Sequence, residues 1–352
     1  MNVKWKPLDF GGEGINGSLD THGRFIAINF YHPEHGYITL TSAEPFPDEE
    51  RYNREAVRAY RASLPRLDGF GIQVEGETVS ESADINGYLM HSIAGRDGAI
   101  GVTTFIDQGC VLQHWRCEPQ KRTPYPFGGQ YTLMRCAYSQ LTEGGVLPMP
   151  PTDTRTTREG EYLIIENPAI GAVVVRGAPI DSDPRFAIDL IIGFALTREA
   201  AIERVSAVQT PSMRRQLWLD SHRYSGELLF RRGIEYSDRM AIPVGEGVCF
   251  LTDHMLLPLS WNRDAYYLAR ALLSWHSDFR ETIRRHLIWM FETADRVDQA
   301  WARCYLANGR VKDAAFQLDQ QLFPLLELAE YVRETNDQAT WERLKPRAAE
   351  IL

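Results

Sequence analysis

Apolar and polar positions change their period once along the chain. From Phe25 to about Ala195, short runs rich in Val, Ile, Phe and Tyr recur between Gly, Asp, Asn and Pro. The runs are Phe25–Tyr31, Tyr37–Thr41, Phe70–Val79, Tyr88–Ile93, Ala99–Ile106, Val111–Cys117, Gln130–Tyr138, Tyr162–Glu166, Ala172–Arg176 and Phe186–Ala195. Such spacing predicts an antiparallel β-sandwich. Alternation is cleanest in Gly71–Val79, where Ile72 and Val74 are expected to face a core and Gln73 and Glu75 to face water. The Pro-rich stretch Leu147–Arg155 reads as a loop inside this region, because strand signals resume after it.

After Ala195 the period shifts from 2 to 3.6. Thr197 is positioned to cap a helix over Arg198–Val208, and Pro211 opens a segment reaching about Tyr236. Ala265, Leu268, Ala269 and Leu272 form an apolar stripe at i, i+3, i+4 and i+7. Asp278 followed by Glu281 resembles a capping box for a helix to about Ala294, with Phe279, Ile283, Leu287, Met290 and Ala294 on its inner face. Further helices are expected over Ala314–Glu334, kinked or begun at Pro324, and over Gln338–Leu352. Consecutive helices separated by short polar loops predict antiparallel αα-hairpins.

Composition narrows the classes of function. The 352 residues are 44% hydrophobic and 24% charged, enough for a large core, and the length suggests two domains. A net charge of −9 argues against a nucleic-acid partner. No run approaches the 18 or so apolar residues of a membrane span, since Asp189 breaks the segment Phe186–Leu196. No apolar signal-peptide core precedes Asp9, so the expected compartment is the cytoplasm. Five cysteines at irregular spacing, Cys110, Cys117, Cys136, Cys249 and Cys304, read as reduced core thiols.

The chain lacks a phosphate-binding G-x-x-x-x-G-K-[ST] loop, a G-x-S-x-G elbow and an H-E-x-x-H pair. His32-Pro-Glu-His35 reads as a turn rather than a metal site, and no metal or other cofactor is expected. His114-Trp-Arg-Cys117 reads as strand packing, and Gly245-Glu-Gly247 as a turn. The informative segment is Leu256–Arg270, where an extended run feeds a helix at Asn262–Asp264. Trp261, Arg263 and Asp264 there combine an aromatic platform, a hydrogen-bonding fork and a charged acceptor. A monosaccharide needs this set, because it presents vicinal hydroxyls and an apolar C–H face. The plain alternative is a first-turn acid that complements the helix dipole and pairs with the arginine. Gln317 and Asp319 precede a strongly apolar helix, either pointing into a shared cleft or capping it. Trp301 adds an aromatic group between the two segments.

In this order, Trp261-Asn-Arg-Asp264 and Phe316-Gln-Leu-Asp319 after a β-rich half resemble the six-hairpin glycosidases that carry an N-terminal β-supersandwich. Bacterial glucoamylase-like and glycogen-debranching-like enzymes are the nearest in kind. Ile15-Asn-Gly-Ser18 with Asp20 and Gly23 is similar to the opening strands of that sandwich. The Gln-Leu-Asp segment with Pro324 is also similar to the exo-mannosidase branch. The resemblance implies a β-supersandwich over 1–196, a helical linker over 197–218 and a partial (α/α)6 toroid over 219–352. It further implies binding of the terminal sugar by Arg263 and Asp264, within a substrate site drawn from Trp261, Arg263, Asp264, Trp301, Gln317 and Asp319.

Hydrolysis needs two carboxyl groups flanking the glycosidic bond, about 6.5–9.5 Å apart in inverting enzymes. In the glucoamylase-like family both come from later hairpins, which 219–352 does not reach. A twelve-helix toroid needs roughly 200 residues, more than that segment provides. The expectation is therefore a glycoside hydrolase acting on terminal α-linked sugars of oligo- or polysaccharides, lacking its later catalytic carboxylates. The competing expectations are a noncatalytic carbohydrate-binding protein, a subunit completed by a second chain or a homo-oligomer, and a disaccharide phosphorylase of similar layout.

Overall fold

Alternating apolar runs of the first half pair into two antiparallel sheets in a computed structural model, which describes residues 8–32, 36–42, 53–63, 68–83, 89–95, 98–118, 126–138, 146–148, 154–178, 187–209, 228–252, 259–275 and 277–351. The chain divides into two compact units: Met1–Phe30, Tyr37–Cys136 and Pro148–Gln216 form one, and Tyr31–Gly36, Ala137–Leu147 and Leu217–Leu352 the other.

A six-stranded sheet, most of whose residues belong to the first unit, orders Leu8–Gly12, Ile15–Leu19, Phe25–His32, Gly36–Thr41, Thr132–Tyr138 and Val146–Pro148. An eight-stranded sheet orders Arg155–Glu159, Tyr162–Asn167, Gly171–Arg176, Ala187–Ala195, Cys110–Glu118, Gly98–Asp107, Leu89–Gly95 and Gly76–Ala83. One apolar cluster draws on both, with Phe10, Phe25 and Ile28 from the first and Val102, Val173 and Leu190 from the second. The sandwich expected from the pattern is thus present as two sheets over a shared core.

The expectation of one wet face fails for the middle of the larger sheet. Leu163, Ile165, Val173 and Val175 enter the sandwich core, whereas Ile164, Ala172 and Val174 pack under helix α2 with Ala201 and Val205. Burial on both faces explains why Tyr162-Leu-Ile-Ile and Ala172-Val-Val-Val are continuous apolar runs rather than alternating ones. Helix α1 (Arg54–Ser63), which the strand pattern did not predict, starts where Asn53 Oδ1 accepts the N–H groups of Glu55 and Ala56. Helix α2 (Arg198–Ala207) has its Thr197 cap, accepting Ala200 N–H at 3.3 Å. Helix α2, inside the segment expected as a helical linker, lies on the eight-stranded sheet.

Other strand expectations are adjusted in detail. Phe70–Val79 is not one strand: Gly71–Ile72 and Gly76–Ala83 belong to different sheets. Between them the Gln73 amide donates to the Gly71 and Gly128 carbonyls, and Val79 is exposed. The Leu147–Arg155 loop carries strand at both ends, at Val146–Pro148 and from Arg155. Strands Leu8–Gly12 and Ile15–Leu19 precede the first expected run.

The second unit holds α3 (Leu228–Arg239), α4 (Asn262–Trp275), α5 (Arg280–Ile288), α6 (Leu318–Thr335) and α7 (Gln338–Ala349). The Pro211 segment lies outside the described residues up to Leu228. Ahead of α5 a 3₁₀ turn covers Ser277–Phe279, Phe279 takes the cap position without a side-chain bond of its own, and Glu281 pairs with Arg284. The expected inner face is buried throughout, from Phe279 to Ala294. The expected helix breaks at its end into a π-turn over Trp289–Thr293. Pro324 neither starts nor ends α6, which begins at Leu318.

From α4 onward, successive helices reverse direction. Arg263 meets Asp319, Tyr266 meets Phe323 and Arg270 meets Glu330, so α4 and α6 run parallel. The contacts Glu292–Arg343 and Arg296–Glu350 likewise set α7 parallel to the α5 segment.

Gly17 tests the sheet packing in the first unit. A Cβ there would stand 2.2 Å from the Ala27 carbonyl oxygen and 2.6 Å from the Phe10 ring. Gly17→Ala is expected to cost about 1–3 kcal/mol, seen as a lower denaturant midpoint. Gly101→Ala, with open space around the new methyl, should stay within about 0.5 kcal/mol of the parent.

Candidate functional site

The second unit brings the sequence-predicted segments together at the adjacent N-termini of α4 and α6. Trp261 ends the short strand Ser260–Trp261, which pairs with Cys304–Tyr305 and leaves the indole half-buried against Leu259, Cys304 and Leu306. The next residues start α4, so Arg263 and Asp264 occupy its first turn. Arg263 Nη1 stands 3.4 Å from Asp319 Oδ2 across 56 residues of sequence, and both side chains remain about half exposed. Asp319 Oδ1 accepts the N–H of Gln320 at 3.0 Å, so this acid both caps its own helix and faces the neighbouring one. Asp264 makes no side-chain hydrogen bond or ion pair among the described residues, leaving an acceptor at the mouth of a positive helix end.

Two buried carboxamides hold this geometry. Asn262 Nδ2 donates to the backbone oxygens of Gln320 at 3.0 Å and Ala302 at 3.3 Å. Gln320 Oε1 in return accepts the backbone N–H of Arg263 at 3.1 Å, so α6 supplies a cap to α4. Gln321 does the same for the intervening loop, accepting the N–H of Trp301 at 2.8 Å and donating to its carbonyl at 2.7 Å. Sequence reasoning passed over Asn262, Gln320 and Gln321; three amides beside helix starts were their only signal.

One expected site residue, Trp301, takes another role, and Gln317 makes no cap bond. Trp301 is buried, edge-on to Phe291 and beneath the Arg296 guanidinium, with its indole N–H on the Met290 carbonyl, so it offers no face to a ligand. Gln317 sits at the N-cap position of α6 without a side-chain cap bond, and its carbonyl accepts the Gln320 N–H at 3.1 Å. The exposed Tyr267 and Phe316 were not anticipated.

Chemistry elsewhere in the chain is quieter. Apart from His32, the His32–His35 turn lies outside the described residues, and among those described no group of three or more potential ligands gathers as a metal site. Cys110, Cys117, Cys249 and Cys304 are buried thiols outside any disulfide, and burial pushes the Cys110 thiol up to about 11. No described helix is long and apolar enough to cross a membrane. No protein-family model matches the chain, and no curated protein matches it.

Within the helical unit, His286 and Glu327 are buried with Nε2 and Oε2 3.6 Å apart. His286 Nδ1 lies 3.0 Å from the Val248 carbonyl, which only accepts, so Nδ1 carries the proton and Nε2 faces Glu327 as a lone pair. Burial, then the nearby Glu330, raises the Glu327 carboxyl well above its ordinary range, and burial lowers His286 to about 4. Glu327 therefore keeps its proton in the folded state while ionising near 4.5 in the unfolded chain, and stability falls as pH rises above that value. His286 has the opposite sign, removing stability as pH falls from 6.5 towards 4. Glu327→Gln should raise the thermal midpoint at about pH 8 and lose most of that gain near pH 5. An equal gain at both would show that Glu327 is not buried as an acid.

Proposed function

We propose that this protein is a carbohydrate-active protein of the glycoside hydrolase class, exo-acting and glucoamylase- or α-glucosidase-like. In this reading 1–196 is a β-supersandwich, 197–218 connects, and 219–352 contributes the first hairpins of an (α/α)6 toroid in a cytoplasmic enzyme on oligo- or polysaccharides. The observation that carries it is the Arg263–Asp319 approach at the paired starts of α4 and α6. The guanidinium fork donates to vicinal hydroxyls, Asp264 and Asp319 accept from them, and the open part of Trp261 packs on the sugar's C–H face. Two adjacent helix starts facing the same way add partial positive charge where polar oxygens bind.

Both site acids serve recognition in this scheme, and hydrolysis requires a separate acid and base flanking the bond. A second reading, a noncatalytic sugar-binding protein, is favoured by one detail: both oxygens of Asp319 already accept from N–H donors.

Calorimetry with maltotriose separates the outcomes. The parent protein should bind, and Arg263→Ala, Asp264→Ala and Asp319→Ala should each weaken binding by about 10–100-fold, the loss of one hydrogen bond to a charged group. Absence of binding by the parent, or unchanged affinity in Asp264→Ala, would sink the site. Release of glucose followed by NMR supports the hydrolase, and binding without release supports the second reading.

A further inference from the structure

Helix α6 buries Gln320, Pro324, Glu327, Leu328 and Tyr331 on one side, yet its other side is apolar too. Leu318, Leu322 and Leu326 are 67%, 45% and 47% exposed, and Phe316 just before the helix is 66% exposed. At about 100° per residue these leucines share a face with Ala329 and Arg333, with Asp319 at its edge. Contiguous apolar surface of this kind on a charged protein marks an interaction site.

We propose that this face binds a second copy of the chain by antiparallel, two-fold pairing of α6 with α6. A two-fold contact requires a surface complementary to itself, and the order of charges along α6 supplies it. Setting Leu322 against Leu326 of the second copy, and the reverse, brings each Arg333 to the Phe316–Asp319 end of the other helix. The guanidinium there meets an acid and an aromatic face twice per dimer, and the two helix dipoles oppose. The present partner of Arg333 gives way at little cost, since Arg333 pairs with its exposed neighbour Glu334 at 3.3 Å, and the half-exposed Asp319 accepts the incoming guanidinium while keeping its contact with Arg263. The four-residue spacing of the leucines suits knobs-into-holes contact between helices. Tyr267, 55% exposed on α4 and packed on Phe323, widens the apolar strip. This inference does not rest on sugar binding.

Light scattering across micromolar concentrations tests it. The parent chain is expected to be a dimer, Leu322→Glu with Leu326→Glu a folded monomer by circular dichroism, and Arg333→Asp a weaker dimer by about tenfold. Leu322→Cys together with Leu326→Cys should cross-link two chains under mild oxidation, whereas Glu342→Cys, exposed on α7, should not. A parent monomer at every concentration overturns the proposal. So does a dimer untouched by the glutamates, or a heterogeneous aggregate in place of a discrete dimer.

Discussion

The exchange of hydrogen bonds between Asn262 and Gln320 is the constraint on which the helical unit's site depends. Each carboxamide is buried and recovers in the protein part of what it loses from water, one end of each bonding across the helices while Asn262 Oδ1 and Gln320 Nε2 meet no partner among the described residues. Asn262 finds the carbonyl of Gln320, and Gln320 finds the N–H of Arg263. Both bonds form only when α4 and α6 start at the same level. The pair therefore fixes the axial register of two parallel helices, and with it the approach of Arg263 to Asp319.

Other buried polar groups reinforce that register. Gln321 treats the backbone of Trp301 as a strand partner would, and Trp301 and Trp289 send their indole N–H groups to the carbonyls of Met290 and Ala307. The π-turn at Trp289–Thr293 widens the end of the α5 segment where these bonds are made. The loop between the helices is thereby pinned from below, and its aromatic content serves the core rather than a ligand.

The β unit rests on a different balance, in which apolar burial dominates. Its central strands pack a sheet on one face and α2 on the other. Asp20 organises the tight turn before Phe25 by accepting N–H groups of His22, Arg24 and Gly69 together with the Arg24 guanidinium. A buried carboxylate is tolerated at that turn because several donors converge on it.

Local pattern sufficed for most of what is regular here. Strand runs, the Thr197 cap, the α4 stripe and the inner face from Phe279 to Ala294 follow from side-chain period and capping chemistry, which act over a few residues. Arg263, Asp264 and Asp319 were legible as polar groups at helix starts. Tertiary structure alone decided that Arg263 and Asp319 meet, since their separation in sequence says nothing of how helices align. It also decided that Trp301 is core, that Glu327 is buried as an acid beside His286 and that Leu318 faces outward. An apolar residue on a helix reads the same on either face, and only the packing of neighbours determines which face is dry.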